Sequence, residues 1–252
     1  MRILSFFVLC LLCACSSKDK EPKSITEVFT VGFKEMAAKN YSDAAKEFRK
    51  IYTYFPYSSL SSQAQLLSAY ANYKVGSSEE TQKCVRDLDV FIMFKGNNEY
   101  TPYAKFLRAV CLLKQVSSVG RSQEKTLKAK AAFVDIINTF NGSVYAKNAE
   151  DVILQLDNSL AAHEMNVAKF YQKNRNPIAA SGRYMSIVQN YIYTNQAPEA
   201  LFRLIECYLE IGLRNIADNV HSEINRLFPK NEWKLKSDTL MNKKNIIKKT
   251  VN

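Results

Sequence analysis

Ala44, Phe48 and Ile51 stand four and three residues apart, and this spacing returns along the chain. It reappears as Ala129/Phe133/Ile136, Ala180/Tyr184/Ile187 and Ala217/His221/Ile224, with a variant at Cys84/Leu88/Phe91. Positions i, i+4 and i+7 share one face of an α-helix, so each triplet is a stripe that must be buried. Any amphipathic helix supplies one such stripe. Five in series require a fold that buries the same face again and again, and tandem helix pairs do so.

The fullest copy runs through Gly32, Tyr41, Ala44, Phe48, Ile51 and Pro56. It reads G-x8-Y-x2-A-x3-F-x2-I-x4-P, which matches the tetratricopeptide pattern. A small residue lets the first helix approach the second, Ala sits at their crossing, an aromatic packs into the next repeat and Pro stops the second helix. Pro229 closes the last copy in the same way. The expected fold is an all-α tetratricopeptide-repeat superhelical solenoid of about five helix pairs. The spacing predicts helices over 25–39 with 42–54, 59–75 with 79–94, and 101–116 with 124–140. It continues with 145–173 and 177–191, then 198–211 and 214–228. Polar residues 117–125 read as an insertion within the third repeat.

Ahead of the repeats, Arg2 precedes an apolar stretch of ten residues, Ile3 to Leu12, interrupted only by Ser5, too short to span a bilayer but suited to a signal peptide. Leu12-Cys13-Ala14-Cys15 resembles a lipobox, which implies diacylglyceryl transfer to Cys15, cleavage before it and acylation of the freed amine. Ser16 after the modified cysteine implies sorting to the outer membrane. The expected organisation is a signal peptide over 1–14 and lipidated Cys15 with a flexible tether over 15–23. Repeats 1–3 occupy 24–141, repeats 4–5 occupy 142–233, and a basic, disordered tail covers 234–252.

The formal charge of +11 is partly local. Lys230, Lys234, Lys236, Lys243, Lys244, Lys248 and Lys249 face only Glu232 and Asp238 over 230–252. An exported chain meets little nucleic acid, so none is expected as a partner. The tail reads as a solvated segment, or as one that meets anionic lipid or an acidic partner. Cys84, Cys111 and Cys207 lie among apolar helical neighbours and read as small core residues. Their spacing leaves open whether one disulfide joins two of them.

No catalytic set emerges: the chain lacks G-x-S-x-G, G-x4-G-K-[ST] and H-E-x-x-H. No catalytic residue, metal ligand or cofactor is expected, and the chain does not read as an enzyme. Binding has more support. The early repeats are rich in aromatics, and Tyr70 and Tyr73 fall on a first helix, the kind that lines a solenoid's concave face. Phe55, Tyr57, Tyr70, Tyr73, Tyr103 and Arg108 are the candidate groove for a peptide. The tyrosines would supply apolar area with a wet hydroxyl, and Arg108 would meet a carboxylate.

Several segments resemble the BamD family, lipoproteins of the outer-membrane β-barrel assembly machine. They are Tyr54-Phe55-Pro56-Tyr57-Ser58, Ser68 to Tyr73, Tyr103 to Ala109, Phe140 to Ser143, Leu160 to Glu164, and Ala197 to Leu201. The likeness covers about 24–233. It implies a non-enzymatic scaffold that receives unfolded outer-membrane β-barrel proteins through its N-terminal repeats. The same resemblance implies that the C-terminal repeats contact the periplasmic domains of BamA, with other lipoproteins of the machine as further partners. It also implies a lipid anchor on the periplasmic face of the outer membrane. Gly96, Asn141 and Ile192 stand where the family ends helices with proline. The competing reading is a tetratricopeptide lipoprotein adaptor for another envelope process, such as cell-wall synthesis or division.

Overall fold

The computed structural model describes residues 24–116 and 123–250, with side chains described as far as residue 242. The expected signal peptide, Cys15, the tether and most of the polar insertion lie outside the described residues. Among the described residues the regular structure is entirely helical. The helices are α1 Ile25–Ala37, α2 Tyr41–Tyr54, α3 Ser61–Val75, α4 Ser78–Lys95, α5 Thr101–Lys114, α6 Glu124–Thr139, α7 Val144–Lys173, α8 Pro177–Asn190, α9 Ala197–Glu210, α10 Arg214–Leu227 and α11 Glu232–Thr250. The ten helices expected from the repeats are α1 to α10, with ends that shift by no more than two residues.

Two compact units divide between Ala71 and Asn72. In the first, Ser24 caps α1 by accepting a hydrogen bond from the Glu27 N–H at 3.1 Å. Val28, Ala44, Phe48, Ile51, Ala64 and Ala71 form its core. The small residue at position 32 is required there: a Cβ built on Gly32 would lie 2.7 Å from the Phe48 ring. Phe33 meets that ring edge-on at 5.3 Å. Fully burying a side chain such as Phe48 contributes about 1.5–3 kcal/mol. After α1 the chain turns through Lys39 at φ 62°, and the Asn40 N–H donates back to the Glu35 carbonyl at 2.9 Å. This is the bond that closes a left-handed helix end.

In the second unit, consecutive helices from α4 to α10 pack in chain order, which is the stacking of a solenoid. The triplets lie where their spacing put them. Cys84/Leu88/Phe91, Ala129/Phe133/Ile136 and Ala180/Tyr184/Ile187 have no exposed surface. The Tyr184 hydroxyl stays satisfied by donating to Gln172 Oε1 at 2.7 Å, and burial pushes its pKa up. Ser77, Ser143 and Asn176 cap α4, α7 and α8 through their side chains. Pro102, Pro177 and Pro198 sit in first helical turns, where the missing N–H costs no hydrogen bond.

The tail expected to be disordered from 234 is corrected by α11, which is helical as far as Thr250. Trp233 and Leu240 pack on a core formed by Leu201, Phe202, Ile205 and Met241. Buried Met241 and Ser237 mark the helix face turned towards the fold, while the lysines dominate its composition. His221 explains why this last repeat accepts an extra helix. Its ring is only half-buried and lies 3.1 Å from Ser237 Oγ and 3.5 Å from Asp238 Oδ1, both on α11.

Candidate peptide-receiving surfaces

The six residues expected to form one groove are held in different ways. In the first unit, Phe55 ends α2 with its N–H donating to Ile51 O at 2.8 Å, and its side chain is half-buried. Tyr57 follows in the turn and is fully exposed. Tyr70 is half-buried on α3.

In the second unit, Tyr73 carries the Lys114 ammonium over its ring at 4.2 Å, and that ammonium also donates to the Tyr73 carbonyl at 3.0 Å. Tyr103 packs at 6.4 Å from Tyr145, and Phe106 packs at 5.5 Å from the same ring and 6.1 Å from Phe133. Tyr103 therefore belongs to a chain of rings that joins α5, α6 and α7.

Arg108 opens on a cleft of about 580 Å³ between α4, α5 and α6. Asp89 and Ile92 line it from α4, and Lys105, Arg108 and Leu112 line it from α5. The third wall is Lys128, Ala131, Ala132 and Asp135 of α6. The Arg108 guanidinium is ion-paired with Asp89, and Lys105 is paired with Asp135 at 2.9 Å. Lys128 pairs with Glu124 at 2.7 Å, but both are about two-thirds exposed, so water and salt screen that pair. Three cations face two carboxylates within the cleft, over an apolar floor. Such a surface holds an anionic group beside an apolar one and carries no nucleophile–base pair.

Sequence reasoning found Arg108 and missed its surroundings. Lys105, Arg108 and Leu112 share a helical face by spacing alone. Asp89, Lys128 and Asp135 come from neighbouring helices, and no spacing within α5 signals them. Also missed was α4, which keeps Val90, Met93 and Phe94 exposed at i, i+3 and i+4. Among the described residues no group of three His, Cys, Asp or Glu side chains is placed to hold a metal ion. No described helix is long and apolar enough to cross a membrane.

The sequence profile of the YfiO family, described as outer membrane lipoprotein, matches residues 21–223. Outer membrane protein assembly factor BamD of Caulobacter vibrioides is 30% identical over 248 residues, covering 96% of this chain and 80% of the relative. The BamD of Rickettsia prowazekii is 31% identical over 226 residues, covering 88% and 89%. That of Pasteurella multocida is 31% identical over 214 residues, covering 81% and 82%. With the buried stripes of its tandem helix pairs and this coverage together, the chain belongs to the BamD family of outer membrane lipoproteins.

Proposed function

We propose that this protein is a non-catalytic scaffold in outer-membrane protein assembly, anchored through lipid on Cys15 to the periplasmic face of the outer membrane. It receives segments of unfolded β-barrel proteins and presents them to BamA, whose periplasmic domains meet the C-terminal repeats. The observation that carries client binding is the cleft around Arg108, where cations exceed carboxylates above an apolar floor. A β-strand segment with aromatic side chains and a C-terminal carboxylate offers the matching chemistry. Exposed Tyr57 in the first unit and the exposed Val90, Met93 and Phe94 of α4 add apolar surface for an unfolded client.

The test is capture from detergent-solubilised envelope, with photo-crosslinkers placed separately at Tyr57 and at Lys128. BamA should co-purify, and both positions should crosslink to newly exported barrel proteins. Recovery of cell-wall synthases in place of BamA would overturn the assignment. Cys15→Ser should leave an unprocessed precursor in the inner membrane or a soluble periplasmic form, and recovery of that variant in the outer membrane in high salt would remove the anchor from the proposal.

A further inference from the structure

Cys84 and Cys111 bring two sulfur atoms into close approach. Cys84 lies on α4, Cys111 on α5, and their Sγ atoms stand 2.7 Å apart with neither side chain exposed. This is well inside the separation at which two unbonded sulfurs rest, and it approaches the disulfide bond length of about 2.05 Å. The remaining cysteine, Cys207, sits in a different core with Ala161, Met165 and Tyr184.

We propose that Cys84 and Cys111 are joined by a disulfide in the exported protein, a covalent link between the second helix of one repeat and the first helix of the next. The inference rests on the family's location outside the cytosol, where disulfides persist, and is independent of client binding. The oxidant is a protein disulfide of the thiol–disulfide exchange class. One cysteine thiolate attacks that disulfide, forms a mixed disulfide and releases one partner thiolate. The second cysteine, after losing its proton, attacks the mixed bond. The Cys84–Cys111 bond forms and the partner leaves as a dithiol, having taken up two electrons and two protons.

Timing follows from burial. Hydrogen bonding to Cys111 and burial both push the Cys84 thiol up, so the reactive thiolate is scarce once the helices have docked. Exchange therefore takes place as α4 and α5 come together during folding. Cys207 stays a thiol: burial pushes it up to about 12, and its core contains no second cysteine. The link has a consequence for the cleft, because α4 carries Asp89 and α5 carries Arg108. Two of its three walls are then tied together.

The experiment uses the full chain exported with its own leader and quenched in acid. The protein is denatured, labelled with a first maleimide, reduced, and labelled with a heavier one. Denaturation exposes every cysteine, so failure to take the first label reports a bond and not burial. Peptide mass spectrometry should find the heavier label on Cys84 and Cys111 and the first label on Cys207. Cys84→Ala should move Cys111 to the first label. Reduction of the folded protein should lower Tm by on the order of 10 °C. First label on both Cys84 and Cys111 in the wild-type chain, or a Cys111–Cys207 link, overturns the proposal.

Discussion

The carboxylate of Asp157, on α7, has no exposed surface and meets the Lys130 ammonium of α6 at 2.5 Å. The same carboxylate accepts a hydrogen bond from the Tyr193 hydroxyl. Its neighbour Asn158 accepts from the Asn195 N–H at 3.0 Å. The turn between α8 and α9 is thereby fastened to the middle of α7. Removing the two ends of the ion pair has unequal effects, because Lys130 is about a quarter exposed and reaches water while Asp157 does not. Lys130→Met strands a buried charge and should destabilise by about 3–5 kcal/mol. Asp157→Asn keeps the shape and should cost about 1–2 kcal/mol. Urea midpoints for the two variants decide the order, and equal losses would argue that the carboxylate is solvated.

Tyr193 adds a pH dependence. Although 57% of the residue is exposed, desolvation of the hydroxyl end first, and then the hydrogen bond to Asp157, push its phenol up to about 12, above the ordinary value near 10. A raised folded-state pKa favours the protonated form in the fold. Its stabilising effect is therefore complete below pH 10 and is lost as pH climbs towards 12. The wild-type protein should lose stability across that window. Tyr193→Phe should show a shallower slope by up to one proton, read from urea midpoints at pH 9, 10 and 11. Because Tyr184, Tyr191 and Tyr208 are also pushed up by burial, the slope should not vanish.

Lys39 and Arg175 occupy turns after α1 and α7 at φ 62° and 55°, the same role that Gly212 fills after α9 at φ 84°. A side chain in this left-handed region adds about 1 kcal/mol of strain. Lys39→Gly should therefore raise stability by about 0.5–1 kcal/mol, measured by urea unfolding. A loss would mean that the lysine stem contributes more through contact than its backbone gives away.

What could be read from the chain followed the length scale of each interaction. The buried triplets and helix pairs were legible because their period is the helix's own, and Gly32 was legible because the small residue fits a known crossing. Partners brought from other helices were not: Asp89 and Arg108 are 19 residues apart and carry no mutual spacing signal. The aromatic-rich early repeats suggested one groove, yet Tyr103 turned out to pack on Tyr145 and Tyr73 to carry Lys114. Composition misled at the C-terminus. Seven lysines suggested solvation, while Trp233, Leu240 and Met241, spaced by seven and one, already marked a helical stripe.

That stripe makes α11 part of the fold. Trp233 meets Phe202 at 5.4 Å with the rings tilted by 38°, with Lys236 over its ring at 3.7 Å and Arg203 at 5.5 Å. Trp233→Ala removes a half-buried aromatic body and its cation contacts, and should destabilise by about 2 kcal/mol. It is the chain's only tryptophan, so wild-type fluorescence reports the docking of α11 directly. Its unfolding transition should coincide with the loss of helicity seen by circular dichroism. An earlier fluorescence transition would show that α11 detaches on its own.

The Asp89–Arg108 pair sets the affinity of the cleft for a peptide carboxylate, since an incoming carboxylate must displace Asp89 from the guanidinium. Both side chains are partly exposed, at 45% for Asp89 and 32% for Arg108, and pairs of this kind contribute up to about 1 kcal/mol. Asp89→Asn removes the competing charge, so a peptide with an aromatic C-terminal residue should bind about threefold to fivefold more tightly. Arg108→Ala should weaken the same peptide by at least as much, and the amidated peptide should respond to neither change. Fluorescence anisotropy with the free-acid and amidated peptides measures all three effects. If Asp89→Asn weakened the free-acid peptide, Asp89 would be orienting Arg108 towards the ligand and not competing with it, and the positive face of the cleft would depend on the pair staying intact.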